Sequence, residues 1–196
     1  MKSKRILVVL LAVLALFSSI GSVGAYMRKQ TQVVSSVYIP GTVSCTVHET
    51  LNTGKTEKRS ITVENTGSIT SYIRVRLVTY WVDSHGDIMY KASSNLNMDS
   101  IYNTTDWIKA PNEDLFYYKY PVAPDGNTGD VTADLLKNGS VITLQRDNNG
   151  TNSDTSDDLR QVVEVFAEAI QSEPTKAVTE AWKVTIDSSG NITGLK

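Results

Sequence analysis

A single cysteine, Cys45, in 196 residues leaves no intrachain disulfide, so the fold must rest on core burial and sheet hydrogen bonds. Histidine is nearly as scarce. His48 and His85 are the only two, which leaves little material for a metal or proton-transfer site. A basic excess is absent as well: 19 Lys+Arg stand against 21 Asp+Glu, a net charge of −2. Nucleic-acid binding needs a basic footprint, and the charge balance argues against it. With 20% charged and 40% hydrophobic residues, wholesale disorder and a multi-span membrane protein are both disfavoured.

The one long apolar run, Ile6 to Phe17, lies directly behind the basic cluster Lys2-Ser3-Lys4-Arg5. Residues 1–25 therefore read as a secretory signal peptide. An anchor is the weaker reading, because twelve residues fall short of the ~20 a spanning helix needs. Val23-Gly24-Ala25 offers the small residues a signal peptidase accepts, placing cleavage after Ala25 and the new N-terminus at Tyr26. Losing Lys2, Lys4 and Arg5 with no acid takes the net charge from −2 to −5. No second apolar run follows, and Asn191-Ile192-Thr193-Gly194-Leu195-Lys196 has neither a hydrophobic tail nor a wall-sorting motif. The expected location is secreted, in the extracellular matrix or at the cell surface.

Beyond the leader, short β-rich runs separated by Gly, Asn, Asp, Ser and Pro predict an all-β antiparallel sandwich or barrel with short helical elements. The clearest strand is Tyr72–Val82, where Ile73, Val75, Leu77 and Trp81 alternate with Arg74, Arg76 and Tyr80. Asp83–Asp87 reads as a turn into Ile88-Met89-Tyr90. Further strands are expected at 41–50, 58–64, 115–120, 141–144 and 182–186. Leu159–Ile170 fits either a helical stripe or a strand. Strand is preferred, because Ser172-Glu173-Pro174 stops it and 175–181 makes the better helix. Residues 91–106 and 147–158 read as long polar loops.

Several of these pieces occur in a telling order. The leader end Gly21-Ser22-Val23-Gly24-Ala25-Tyr26, the run Val63-Glu64-Asn65-Thr66-Gly67 leading into Ile73-Arg74-Val75-Arg76, the aromatics Phe116-Tyr117-Tyr118, and Glu168-Ala169-Ile170-Gln171 before Ala181-Trp182 resemble the TasA/camelysin-like secreted proteins, and within them the BsaA-type biofilm matrix proteins. The resemblance spans nearly the whole chain. It implies a leader removed by a SipW-type signal peptidase, a jelly-roll β-sandwich, and head-to-tail polymerisation into extracellular fibres by donation of an N-terminal strand. It implies no cofactor; an accessory anchoring or nucleating protein is a further expected partner. Some members of the wider family are described as metalloproteases, which keeps that alternative in view.

The residues lend the protease little. A zincin needs two His one helical turn apart with a Glu beside the first, whereas His48-Glu49 is followed by Thr50-Leu51-Asn52. Cys45 sits mid-strand between Ser44 and Thr46 and reads as an inert thiol. Asp147 to Asp158 is rich in oxygen donors, yet Asn152 stands where a calcium loop needs glycine, so a solvated loop is the better account. Phe116, Tyr117, Tyr118 and Tyr120 suggest sugar stacking as another alternative, a carbohydrate- or surface-binding sandwich. Strand alternation would commit half of them to the core.

The domain reading is thus a leader over 1–25, a donor strand over 26–39 and a sandwich over 40–196. In the donor segment Thr31, Val33, Ser35, Val37 and Ile39 share one face, and Pro40-Gly41 breaks it from the body. A covalent lock between subunits is a subsidiary idea: Lys29 would supply an amine for an isopeptide bond, with Glu164 or Glu168 as the buried acid managing protons, although the preferred reading leaves Lys29 solvated and both glutamates facing water. N-terminal sequencing of the secreted protein should begin at Tyr26, and Ala25→Leu should block processing and leave the precursor at the membrane. A start well beyond Tyr26 would contradict the leader assignment.

Overall fold

The computed structural model describes residues 41–89, 96–147 and 159–196. The boundary between two units of the chain falls between Pro40 and Gly41, and the second unit is an antiparallel, jelly-roll-like β-sandwich. One sheet holds β1 (Cys45–Leu51), β2 (Glu57–Asn65) and β7 (Ile142–Thr143), in that order. The other runs β5 (Trp107–Lys109), β6 (Leu115–Tyr118), β3 (Ser71–Val82), β9 (Leu159–Gln171) and β8 (Arg146–Asp147), with β4 (Ile88–Met89) turning back onto β3. The helix α1 (Met98–Ile101) packs on this body; α2 (Thr175–Trp182) leads into the ribbon of β10 (Val184–Ile186) and β11 (Ile192–Leu195). No helix among the described residues is long and apolar enough to cross a membrane.

β3 is the spine, pairing with β9 along its whole length from Ser71↔Gln171 to Val82↔Arg160. Its alternation works as read: Ile73, Val75 and Leu77 enter the core between the sheets, where Ile61 and Val63 of β2 meet them with Phe116, Trp107 and Val163. The opposite face is not left to water throughout. A second core forms where α2 and the β10–β11 ribbon lie over Tyr72 and Tyr117, closing Val178, Trp182, Val184 and Ile192 against them.

That second layer corrects the reading of the aromatic run. Half of Phe116, Tyr117, Tyr118 and Tyr120 is buried, the expected share, but the buried pair is Phe116 and Tyr117 on opposite faces of β6 and not two residues of one face. Tyr118 is half-buried against Trp107, and Tyr120 alone is substantially exposed. The polar loop expected over 91–106 is also corrected in its described part. Met98 is buried, Leu96, Ile101 and Tyr102 pack on the first core, and Tyr102 bridges Leu136. Four apolar side chains at irregular spacing anchor this segment, a pattern that periodicity does not detect.

The crossing from one sheet to the other is fixed by Asn65, which is fully buried at the end of β2. Its Nδ2 donates to the carbonyls of Ile69 (2.9 Å), Val122 (3.1 Å) and Ala123 (2.9 Å), and its Oδ1 accepts from the Gly67 amide at 3.0 Å. Its own N–H donates to Asp130 O at 2.7 Å. Gly67 completes the corner, because a Cβ there would run into the carbonyl oxygen of Thr42. Segment 130–136 then follows β2, with Thr132 N donating to Val63 O and Leu135 N to Ile61 O. Asn65→Asp keeps the shape but turns a carboxylate toward three carbonyls. It should lower stability by about 3 kcal/mol, the cost of buried groups left unsatisfied, measured by urea unfolding at neutral pH. Facing carbonyls in a buried site raises the pKa of that carboxyl, so the deficit should shrink as pH falls and the protonated acid becomes a donor.

Candidate functional site

The 13-residue β9 is paired unequally on its two edges. β3 takes one edge entirely; on the other, β8 pairs only Arg160 and Leu159, and Gln161 N donates to Gln145 O. Among the described residues no strand pairs the outer edge from Val162 to Gln171. β1, at the border of the smaller sheet, likewise has no strand partner on its outer edge among the described residues. Between these edges lies a groove of about 510 Å³, lined by Val47 and Glu49 of β1, Lys58 of β2, Tyr80 of β3 and Val162–Val165 of β9.

A β-bulge shapes one wall. Register along β1 and β2 slips between Thr50↔Ser60 and Leu51↔Lys58, and the extra residue turns Lys58 inward where strict alternation would not. The buried Lys58 ammonium meets both oxygens of Glu49 at 2.7 Å. This pair brings charge to the groove beside Val47, Val163 and Val165. Sequence reasoning missed it, because a bulge is set by pairing between distant residues.

Glu164 and Glu168 do not occupy the apolar site that proton management in an isopeptide bond would need. Both lie on the solvent side of β9. Glu168 is 55% exposed and pairs with Arg74 at 2.7 Å, whose guanidinium lies 4.9 Å from the Trp182 ring centre. Strand parity sends Val163 and Val165 inward and the glutamates outward, so Glu164 lines the groove only from its solvent side. Phe166 shares the outer face and is 48% exposed. Ala25, Tyr26, Lys29, Thr31, Val33, Ser35, Val37 and Ile39 lie outside the described residues, as does the loop from 148 to 158.

The histidines stay apart. His48 Nε2 lies 2.7 Å from Glu64 on the neighbouring strand, and His85 occupies the exposed turn held by Asp83, whose Oδ1 accepts from the His85 and Asp87 amides. Three carboxylates, Glu64, Asp125 and Asp130, bring oxygens within 4.8 Å of one another. Two already have neighbours that account for them: Glu64 faces His48, and Asp130 Oδ2 accepts from the Gly126 amide at 3.0 Å.

Cys45 is half-buried at the start of β1. Burial pushes its thiol pKa up, and the Glu168 carboxylate adds to the rise. Comparison with protein-family models, curated proteins and solved structures gives no match. Because the thiolate is the reacting species, iodoacetamide should modify Cys45 more slowly in the folded chain than in urea. The folded rate should still be climbing with pH after the unfolded rate has levelled off, and equal rates throughout would refute the raised pKa.

Proposed function

We propose that this chain is a secreted structural subunit that polymerises head-to-tail into extracellular biofilm matrix fibres, with residues 26–39 of one copy serving as a donor strand for the next. The observation that carries this reading is the outer edge of β9, unpaired among the described residues from Val162 to Gln171 and bordered by a groove in which valines alternate with charged side chains. An unpaired edge of that length is a template for another strand, and soluble monomers usually blunt or cover theirs.

The dimensions agree. Nine residues, 31–39, extend about 30 Å at ~3.3 Å per residue, close to the reach of the ten open positions on β9. The donor face presents Val33, Val37 and Ile39 to a groove whose apolar walls are Val47, Val163 and Val165. Fully covering each donor residue is worth roughly 1.5–3 kcal/mol. The donating and accepting surfaces differ, so the contact is heterologous and grows filaments when its rotation does not close a ring. Cleavage after Ala25 by a SipW-type peptidase would free the donor segment, and an accessory protein would anchor or nucleate the fibre.

Deleting residues 26–35 from the processed chain separates donation from an ordinary first strand. Negative-stain microscopy should show fibres with the full mature chain and none with the truncated one, while circular dichroism shows that the truncated sandwich remains folded and soluble. Unchanged fibres would refute donation, and global unfolding would assign the strand to its own sandwich.

A further inference from the structure

Where β8 meets β9, Arg146 and Arg160 are direct cross-strand neighbours, so their side chains leave the sheet on one face. Like charges in that relation repel, and neither guanidinium makes an ion pair or side-chain hydrogen bond among the described residues. Both line a cavity of about 260 Å³ together with Lys55, Gln161, Leu51 and Leu144. Lys58 also reaches this cavity, but Glu49 neutralises it. Three cations with no acidic partner among the described residues thus line one hollow on a chain whose net charge is −2.

Gln161 is 3% exposed, its Oε1 accepts from the Gln145 amide at 3.1 Å, and its Nε2 is buried with no hydrogen-bond partner. A buried donor without an acceptor is costly and uncommon. Leu51, Leu144 and Val163 supply apolar wall beside it. The volume lies below the range that encloses a drug-sized molecule, and suits a body of one ring.

We propose that this pocket binds an oxyanion carried on a single sugar-sized ring, as in a uronic acid or a sugar phosphate. The paired guanidinium groups would hold the anion, since their planar donor forks match carboxylate and phosphate oxygens. The ring's C–H face would rest on Leu51 and Leu144. An anion between Arg146 and Arg160 also relieves the repulsion built into their register. This site is separate from strand donation and stands whether or not the chain forms fibres.

Isothermal titration of the purified chain with glucuronate, glucose 6-phosphate, glucose and inorganic phosphate tests the proposal. At least one of the two anionic sugars should bind about tenfold or more tighter than glucose and than bare phosphate, and the tighter of the two identifies the anion. Binding should weaken as salt rises. The double variant Arg146→Gln/Arg160→Gln should lose about tenfold or more in affinity, with thermal stability equal or higher because the repulsion is gone. Arg160→Gln alone serves the same comparison if the double variant fails to fold. Glucose or inorganic phosphate binding as tightly as the anionic sugars, an unchanged affinity in the variant, or no binding of any probe would each overturn it.

Discussion

The sandwich depends on a corner more than on any strand. At Asn65 the chain leaves the smaller sheet, and within six residues it begins β3, the spine of the larger one. A side-chain amide there serves three carbonyls and one N–H where the chain turns between the sheets, a requirement no apolar residue could meet. Because Val122 and Ala123 supply two of those carbonyls, the same amide holds the long irregular segment that runs beside β2. With the corner fixed, Ile61 and Val63 on one side and Ile73 and Val75 on the other face each other across one core. The second core, beneath α2, depends on this arrangement, since Tyr72 follows directly from the same turn.

Fixing the corner also decides which edges stay open. β2 is covered on both sides, by β1 and by β7 with segment 130–136; β3 is covered by β6 and β9. The outer edges of β1 and β9 face a common groove. Most of the energetic advantage of another strand there would come from backbone pairing along β9, while Val47, Val163 and Val165 favour an apolar face turned inward. The Lys58–Glu49 pair places charge at the groove floor, where it disfavours an indiscriminate apolar occupant.

Much of this was legible from local pattern. Period-two alternation located β3 to within a residue, and Ser172-Glu173-Pro174 correctly separated β9 from α2 despite the helical stripe in Leu159, Val163, Phe166 and Ile170. Glu164 and Glu168 face water, as the preferred reading has them, because β9 takes its parity from β3 and their apolar sequence neighbours point the other way. The misses share one cause: they were decided by partners distant in sequence. Tyr117 is buried because residues some sixty positions later fold over it. The strand Ile192–Leu195 was not anticipated, since β10, its only strand partner among the described residues, lies just before it across a tight turn and gives it little length to show alternation. Residues 96–106 looked polar on average, although four side chains suffice to anchor them.

The bulge at Lys58 and the register at Arg146 and Arg160 lie beyond any single-sequence pattern, and both meet at one edge of the molecule. Lys58, Val162 and Val163 line both the open groove and the cationic cavity. The two hollows therefore share a wall. A strand laid along β9 would contact Val162 and Val163 from one side while a ligand in the cavity contacted them from the other. Any shift in those side chains caused by one occupant changes the free energy of the other, and such coupling is reciprocal. The stretch of β9 from Arg160 to Val163 is thus where, among the described residues, paired backbone, an open edge and cationic side chains meet, and it is set by the registers that β3 and β8 impose together.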